Sequence, residues 1–185
     1  MIPTIVSPGP VYVDAALLAD NSNRYGRLTE VVKGSVYESL NGEFTAELTV
    51  PRIAINAHNL QRGGLLKLKP NHWQGNQIFR INRVKRQLVN GDIVLQLSQI
   101  GYDLNKLPAM PFEATGISAV VAAFANPNYR TTYMPFTFSS DLTNETSVLS
   151  VPVPTPWRSI IGGMEGSILD VFGGELLWDN LSVSL

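Results

Sequence analysis

Gln77-Ile78-Phe79-Arg80-Ile81-Asn82-Arg83-Val84-Lys85-Arg86-Gln87-Leu88-Val89-Asn90-Gly91-Asp92-Ile93-Val94-Leu95-Gln96-Leu97 carries the strongest fold signal in the chain. Two apolar-alternating runs, Gln77–Val89 and Asp92–Tyr102, flank Asn90-Gly91. Both turn residues tolerate positive φ, so the pair closes a hairpin whose twist matches that of its strands. Ile78, Ile81 and Val84 lie on the first arm, with a bulge expected beside Phe79, and Ile93, Leu95 and Leu97 share one face of the second. The fold is therefore expected to be built on antiparallel strands.

The neighbouring segments repeat this grammar. Phe44, Ala46, Leu48 and Val50 alternate with Thr45, Glu47 and Thr49, a period of two that marks a half-buried strand. Asn41-Gly42 supplies a turn before that strand, and Pro51, with no N–H to donate, ends it. Leu66 and Leu68 alternate with Lys67 and Lys69, and Val11–Leu18 is an apolar run closed by the turn-rich Ala19–Asn23. Residues 1–110 thus read as strand after strand, with no βαβ alternation to suggest a parallel sheet.

Helical periodicity enters after Pro108–Pro111. Ile117, Val120, Val121 and Phe124 form one stripe of a helix expected over Glu113–Ala125 and stopped by Asn126-Pro127. Thr131–Ser139 and Ser147–Val153 read as strands. Thr155-Pro156 then has the form of a helix start, followed at helical spacing by Trp157, Ile160, Ile161, Met164, Ile168 and Phe172. Gly173-Gly174 closes that helix and Glu175–Leu185 returns to strand. Gly162, Gly163 and Gly166 each cost a helix about 1 kcal/mol, so close backbone packing is expected around them. The expected fold class is mainly β with an α+β second half, divided as residues 1–110 and 111–185.

Composition narrows the function. The 185 residues include no cysteine, which removes disulfides, thiolate metal sites and cysteine nucleophiles. A net charge of −1 argues against non-specific binding to nucleic acid or anionic membranes. Charged residues make up 16% of the chain, below the usual ~25%, a shortage consistent with surface covered by other subunits. The first residues, MIPTIVSPGPVYVD, have neither the basic nor the apolar region of a signal peptide. No apolar run reaches the roughly 20 residues of a transmembrane helix, so a soluble chain is expected.

Catalytic motifs are missing. There is no P-loop, no dinucleotide-binding glycine fingerprint, no nucleophile elbow and no zincin pair. His58 and His72 have no convergent carboxylates in sequence and are expected to be ordinary loop residues, while Asp170 and Asp179 read as capping or turn residues. Two glycosylation sequons, at Asn144 and Asn180, are chance matches in a chain without a secretory signal. No catalytic, metal or cofactor residues are assigned, and no cofactor is expected. Arg80, Arg83, Lys85 and Arg86 form a basic cluster on the first hairpin arm. Without interleaved aromatic residues it fits a solvated or protein-binding face better than a nucleic-acid platform.

In order along the chain, several short blocks resemble the N-terminal region of siphophage tail-associated proteins, the prophage endopeptidase-tail family. They are Leu40-Asn41-Gly42 with the alternating strand to Pro51, Gln77-Ile78-Phe79-Arg80-Ile81, Tyr102-Asp103-Leu104, Phe136-Thr137-Phe138-Ser139-Ser140-Asp141, and the run from Gly166 through Gly173-Gly174-Glu175-Leu176 to Asp179-Asn180. Ile100-Gly101 departs from the His-hydrophobic pair often found before the tyrosine. The resemblance implies an architecture like the tail or baseplate hub of contractile-tailed phages: a barrel-like antiparallel tube domain followed by a small α+β domain. It further implies a homotrimer that closes the tail tube and joins a hexameric distal tail protein, with tail tube or tape-measure protein as further neighbours and genome DNA only in transit. The virion tail tip is the implied location, reached from the host cytoplasm during assembly. Family members continue beyond the position matching Leu185, some into a cell-wall hydrolase domain, so a fragment or truncated hub is expected. In such a ring Arg80, Arg83, Lys85, Arg86, Gly163 and Gly166 are the candidate interface or lumen residues. The alternative is a carbohydrate- or receptor-binding β module of a virion, whose sign would be Trp73 or Trp178 exposed in a groove.

Overall fold

The computed structural model describes residues 2–19, 22, 24–87, 91–130 and 133–185. The chain divides into two compact units, Met1–Ser39 with Glu43–Ile100, and Leu40–Gly42 with Gly101–Leu185.

The first unit is a six-stranded sheet. Its strands are β1 (Thr4–Ser7), β2 (Lys33–Glu38), β3 (Phe44–Pro51), β4 (Leu65–Leu68), β5 (Gln77–Arg86) and β6 (Asp92–Gln99). Their spatial order is β1-β4-β5-β6-β3-β2, all pairs antiparallel. The hairpin expected from the sequence is β5–β6, at the centre. Its turn residues Leu88, Val89 and Asn90 lie outside the described residues, and Gly91 sits at φ 69°. β3 keeps its alternation, burying Phe44, Ala46, Leu48 and Val50. Phe44 meets Phe79 of β5 edge to face at 5.3 Å, a geometry that aligns ring edge with ring face charge. The bulge falls between Ile81 and Arg83 rather than beside Phe79.

Two expectations are corrected here. The sheet is open, because β1 and β2 lie at its opposite edges and do not pair. The outer side of β1 is already taken: Ile5 N–H donates to Gly26 O at 3.0 Å and Leu28 N–H to Pro3 O at 2.8 Å. A barrel needs edge-to-edge closure, which these bonds prevent within one chain. Second, Val11–Leu18 is no strand. Asp14 accepts from Leu17 N–H at 2.8 Å and starts a short helix, α1 (Ala15–Ala19), whose Ala and Leu residues favour that conformation.

The second unit is α+β. It holds β7 (Pro108–Ala109), β8 (Phe112–Thr115), α2 (Ile117–Ala125), β9 (Thr137–Ser139), β10 (Val148–Val151), β11 (Thr155–Pro156), α3 (Trp157–Ile161), α4 (Ile168–Phe172), β12 (Leu177–Asp179) and β13 (Ser182–Ser184). β8 pairs with β10 and β7 with β11, while β13 joins β12 antiparallel and β9 in parallel. Trp157 is fully buried at the middle of an aromatic cluster, 4.6 Å from Phe124 and 5.7 Å from Phe112 between ring centres. Phe138 and Tyr129 extend the cluster through Phe124 and Phe112.

The helix expected over Glu113–Ala125 begins only at Ile117, because Phe112-Glu113-Ala114-Thr115 alternates and pairs as a strand. Gly116, at φ 84°, makes the change of direction. The strand expected over Thr131–Ser139 is confined to β9, with Thr131 and Thr132 outside the described residues. The single helix expected from Trp157 to Phe172 is two helices. Gly163 (φ 102°) and Gly166 (φ 73°) take a conformation that breaks a helix, and Thr155-Pro156 pairs as β11 instead of capping it. Ser167 starts α4 by accepting from Asp170 N–H, and Asp170 accepts from Gly166 N–H at 2.8 Å. Ser167 is thus the N-cap of α4, and the Asp170 carboxylate reaches back one residue further, to the N–H that precedes the cap.

Candidate functional site

The basic cluster of the hairpin does not stay together. Strand alternation and the bulge at Asn82 send its members in different directions. Arg80 is 8% exposed, donating to Gly63 O at 2.7 Å and to Val11 O at 3.0 Å, so it ties down loops rather than facing a partner. Within the single chain Arg80 thus holds the loops of Gly63 and Val11 to β5. Arg83, Lys85 and Arg86 are exposed. Arg83 and Arg86 line a groove of about 780 Å³ with Leu60, Gln61, Arg62, Asn82 and Val84. Arg62 arrives from a loop more than twenty residues upstream, so no local pattern in the sequence links it to the hairpin. Among the described residues the groove is lined by three guanidinium groups and no carboxylate.

Gly163 and Gly166 were expected at close contacts. No atom lies within 4 Å of a Cβ built at either position, so their glycines are required by positive φ and not by packing. The close approach is at Gly162, where a Cβ would stand 2.6 Å from Leu169 Cδ1.

A second cluster, in the second unit, was not foreseen. Arg158 of α3 lies over two rings, 4.6 Å from the centre of Tyr102 and 3.9 Å from that of Trp178, and donates to Gly42 O at 3.2 Å. Burial pushes its guanidinium below the ordinary arginine value, and Tyr102 opposes this by charge and hydrogen bond. Close by in sequence to these partners, Asn41 donates to Gly174 O at 3.0 Å and accepts from Leu176 N–H at 2.7 Å. Residues from three separate sequence blocks, Asn41-Gly42, Tyr102 and Gly174–Trp178, are thus joined by a planar cation and an amide. The contacts are those of a structural clamp, a half-buried cation held between two rings and a backbone carbonyl.

His58 Nδ1 lies 3.1 Å from Ile55 O in a short 3₁₀ turn, and His72 sits on an exposed loop. Among the described residues no group of three or more His, Asp or Glu could hold a metal ion, and no helix is long and apolar enough to cross a membrane. Of the two tryptophans expected in a glycan groove, Trp178 is 5% exposed beneath Arg158, while Trp73 stands out at 94%.

No family model and no curated protein matches the sequence. Among solved structures, the fold is similar to that of the prophage tail protein gp18 from Listeria monocytogenes EGD-e, with a TM-score of 0.61 and 13% sequence identity. The likeness covers 99% of this chain and 49% of that protein, so the chain spans about half its length.

Proposed function

We propose that this chain is a structural component of a phage or prophage tail, and that within the tail it belongs to the hub at the tip. The observation that carries the proposal is the likeness to a prophage tail protein, which runs through both units rather than through one common sheet. The family resemblance of the short sequence blocks points the same way. On this view the chain is not an enzyme. It builds a wall, with the distal tail protein ring as its neighbour and three copies closing around the tail axis. The 16% charge content and exposed apolar residues such as Val32, Tyr37 and Ile55 suit a surface that is covered on assembly.

Two measurements separate the levels of the proposal. Gold-labelled antibody against the chain, applied to virions of the phage that encodes it, should decorate the tail; label on the capsid or none on the particle overturns the tail assignment. Light scattering of the chain, alone and with the distal tail protein ring, should give a trimer or a stable complex. A monomer that ignores the ring at high concentration overturns the hub assignment and leaves the first result to decide the tail.

A further inference from the structure

We infer that the groove between Leu60–Arg62 and the outer edge of β5 takes an extended acidic segment of a partner protein, which adds a strand beside Asn82–Arg86. This inference rests on the first unit alone and is independent of the tail proposal.

The first support is an open strand edge. β4 pairs with β5 only from Gln77 to Arg80. Gly63 and Gly64 extend the contact by one residue, with Gly63 N–H donating to Ile81 O at 2.8 Å and Ile81 N–H to Gly64 O at 2.9 Å. Beyond Ile81 no ladder among the described residues covers that side of β5, whereas β6 holds the other side as far as Arg86. Gln87 N–H donates to Asp92 O, toward β6. By strand alternation the main chain of Lys85 and Arg83 also faces β6, and that of Val84 and Arg86 faces the groove. An edge of this kind is a template for an added strand. Five residues of it span about 17 Å, room for about five paired residues of an added segment.

The second support is charge. Among the described residues Arg62, Arg83 and Arg86 line the groove without an ion pair, and no acidic side chain lines it. Guanidinium forks bind carboxylates with two parallel hydrogen bonds, so an acidic segment would satisfy them as well as the edge.

The two features together select the partner. A nucleic-acid backbone could neutralise the arginines but would leave the strand's N–H and C=O groups unpaired, and no aromatic side chain lines the groove for base stacking. A second copy of this chain is a poor fit, because no stretch of eight residues in the sequence holds three carboxylates.

The test is fluorescence anisotropy with a fluorescein-labelled peptide of four Thr-Glu repeats. Four Pro-Glu repeats carry the same charge without backbone N–H groups, and an oligothymidylate of eight nucleotides supplies phosphates without a peptide backbone. The Thr-Glu peptide should bind, should weaken with salt, and should shift the amide resonances of Val84 and Arg86. Double charge reversal by Arg83→Glu and Arg86→Glu should weaken it about tenfold, and Arg62→Glu alone about threefold. These side chains are exposed, so an unchanged melting curve verifies the fold. Absence of binding up to about 1 mM, or equal binding of the Pro-Glu peptide, overturns the inference. So does tighter binding of the oligonucleotide, or self-association of the chain that the charge reversals abolish.

Discussion

Replacing Arg158 should loosen the second unit by an amount that its geometry allows to be worked out. The side chain is half-buried, lies over Tyr102 and Trp178, and donates to Gly42 O. Two cation–π contacts contribute about 0.5–1 kcal/mol each at such a site. A charged hydrogen bond at 3.2 Å contributes at the low end of its class, about 1.5 kcal/mol. Burial of the charge, which lowers its pKa, offsets part of this sum and leaves about 2 kcal/mol. Arg158→Met removes the cation but retains an apolar stem, and should cost that amount. Arg158→Ala loses the stem as well and should cost about 3 kcal/mol. Arg158→Lys keeps the charge without the planar stacking face and should cost about 1 kcal/mol. Urea unfolding followed by tryptophan fluorescence is the assay, since Trp157 and Trp178 are both buried in this unit whereas Trp73 is exposed. With a slope of about 2 kcal/mol per molar urea, the methionine variant should unfold about 1 M earlier. A methionine variant within about 0.3 kcal/mol of the parent would refute the clamp, as would a lysine variant no better than alanine. A double-mutant cycle with Tyr102→Leu should recover about 0.5–1 kcal/mol of coupling.

Other substitutions test the packing and the turns. Phe79→Ala, which empties a fully buried site against Phe44, should cost about 3–5 kcal/mol in the same assay read by circular dichroism. Gly116→Ala should cost about 2–3 kcal/mol, because φ is 84° and the new Cβ would stand 2.9 Å from Glu145 Cα; thermal melting measures it. Gly166→Leu and Gly166→Ala should each cost about 1–2 kcal/mol and match one another within experimental error, since the penalty is left-handed backbone in open space. A leucine variant much worse than alanine would restore the close-packing explanation.

The strands at the centre of the first unit were legible because their signal is local. Side chains on a strand alternate between faces, so Phe44–Val50 and Ile93–Leu97 reveal both conformation and buried face within a few residues. The apolar stripe of α2 is equally local, and its Ile117, Val120 and Phe124 are buried as the spacing requires. Boundaries fared worse. The apolar residues Phe112 and Ala114 belong to a strand that runs directly into that helix, and only pairing with Val148–Val151 separates the two. Periodicity carried the helix of Trp157–Phe172 through Gly163 and Gly166, whose left-handed backbone broke it.

Identity of residues and local period thus determined that the chain is strand-rich, where its central hairpin lies and which side chains form its core. The tertiary structure alone decided which residues meet. β1 finds its partners at Leu65–Lys67, sixty residues downstream, so its four residues give little sign of themselves in isolation. Arg80, Arg83 and Arg86 look alike in sequence, yet a bulge and the carbonyls of Gly63 and Val11 bury the first and leave the others beside Arg62. The joining of Arg158 to Tyr102, Trp178 and Gly42 depends likewise on contacts that no short window contains. Local conformation follows from backbone and side-chain preferences within a few residues, whereas a site is made by contacts that form only when distant segments are packed together.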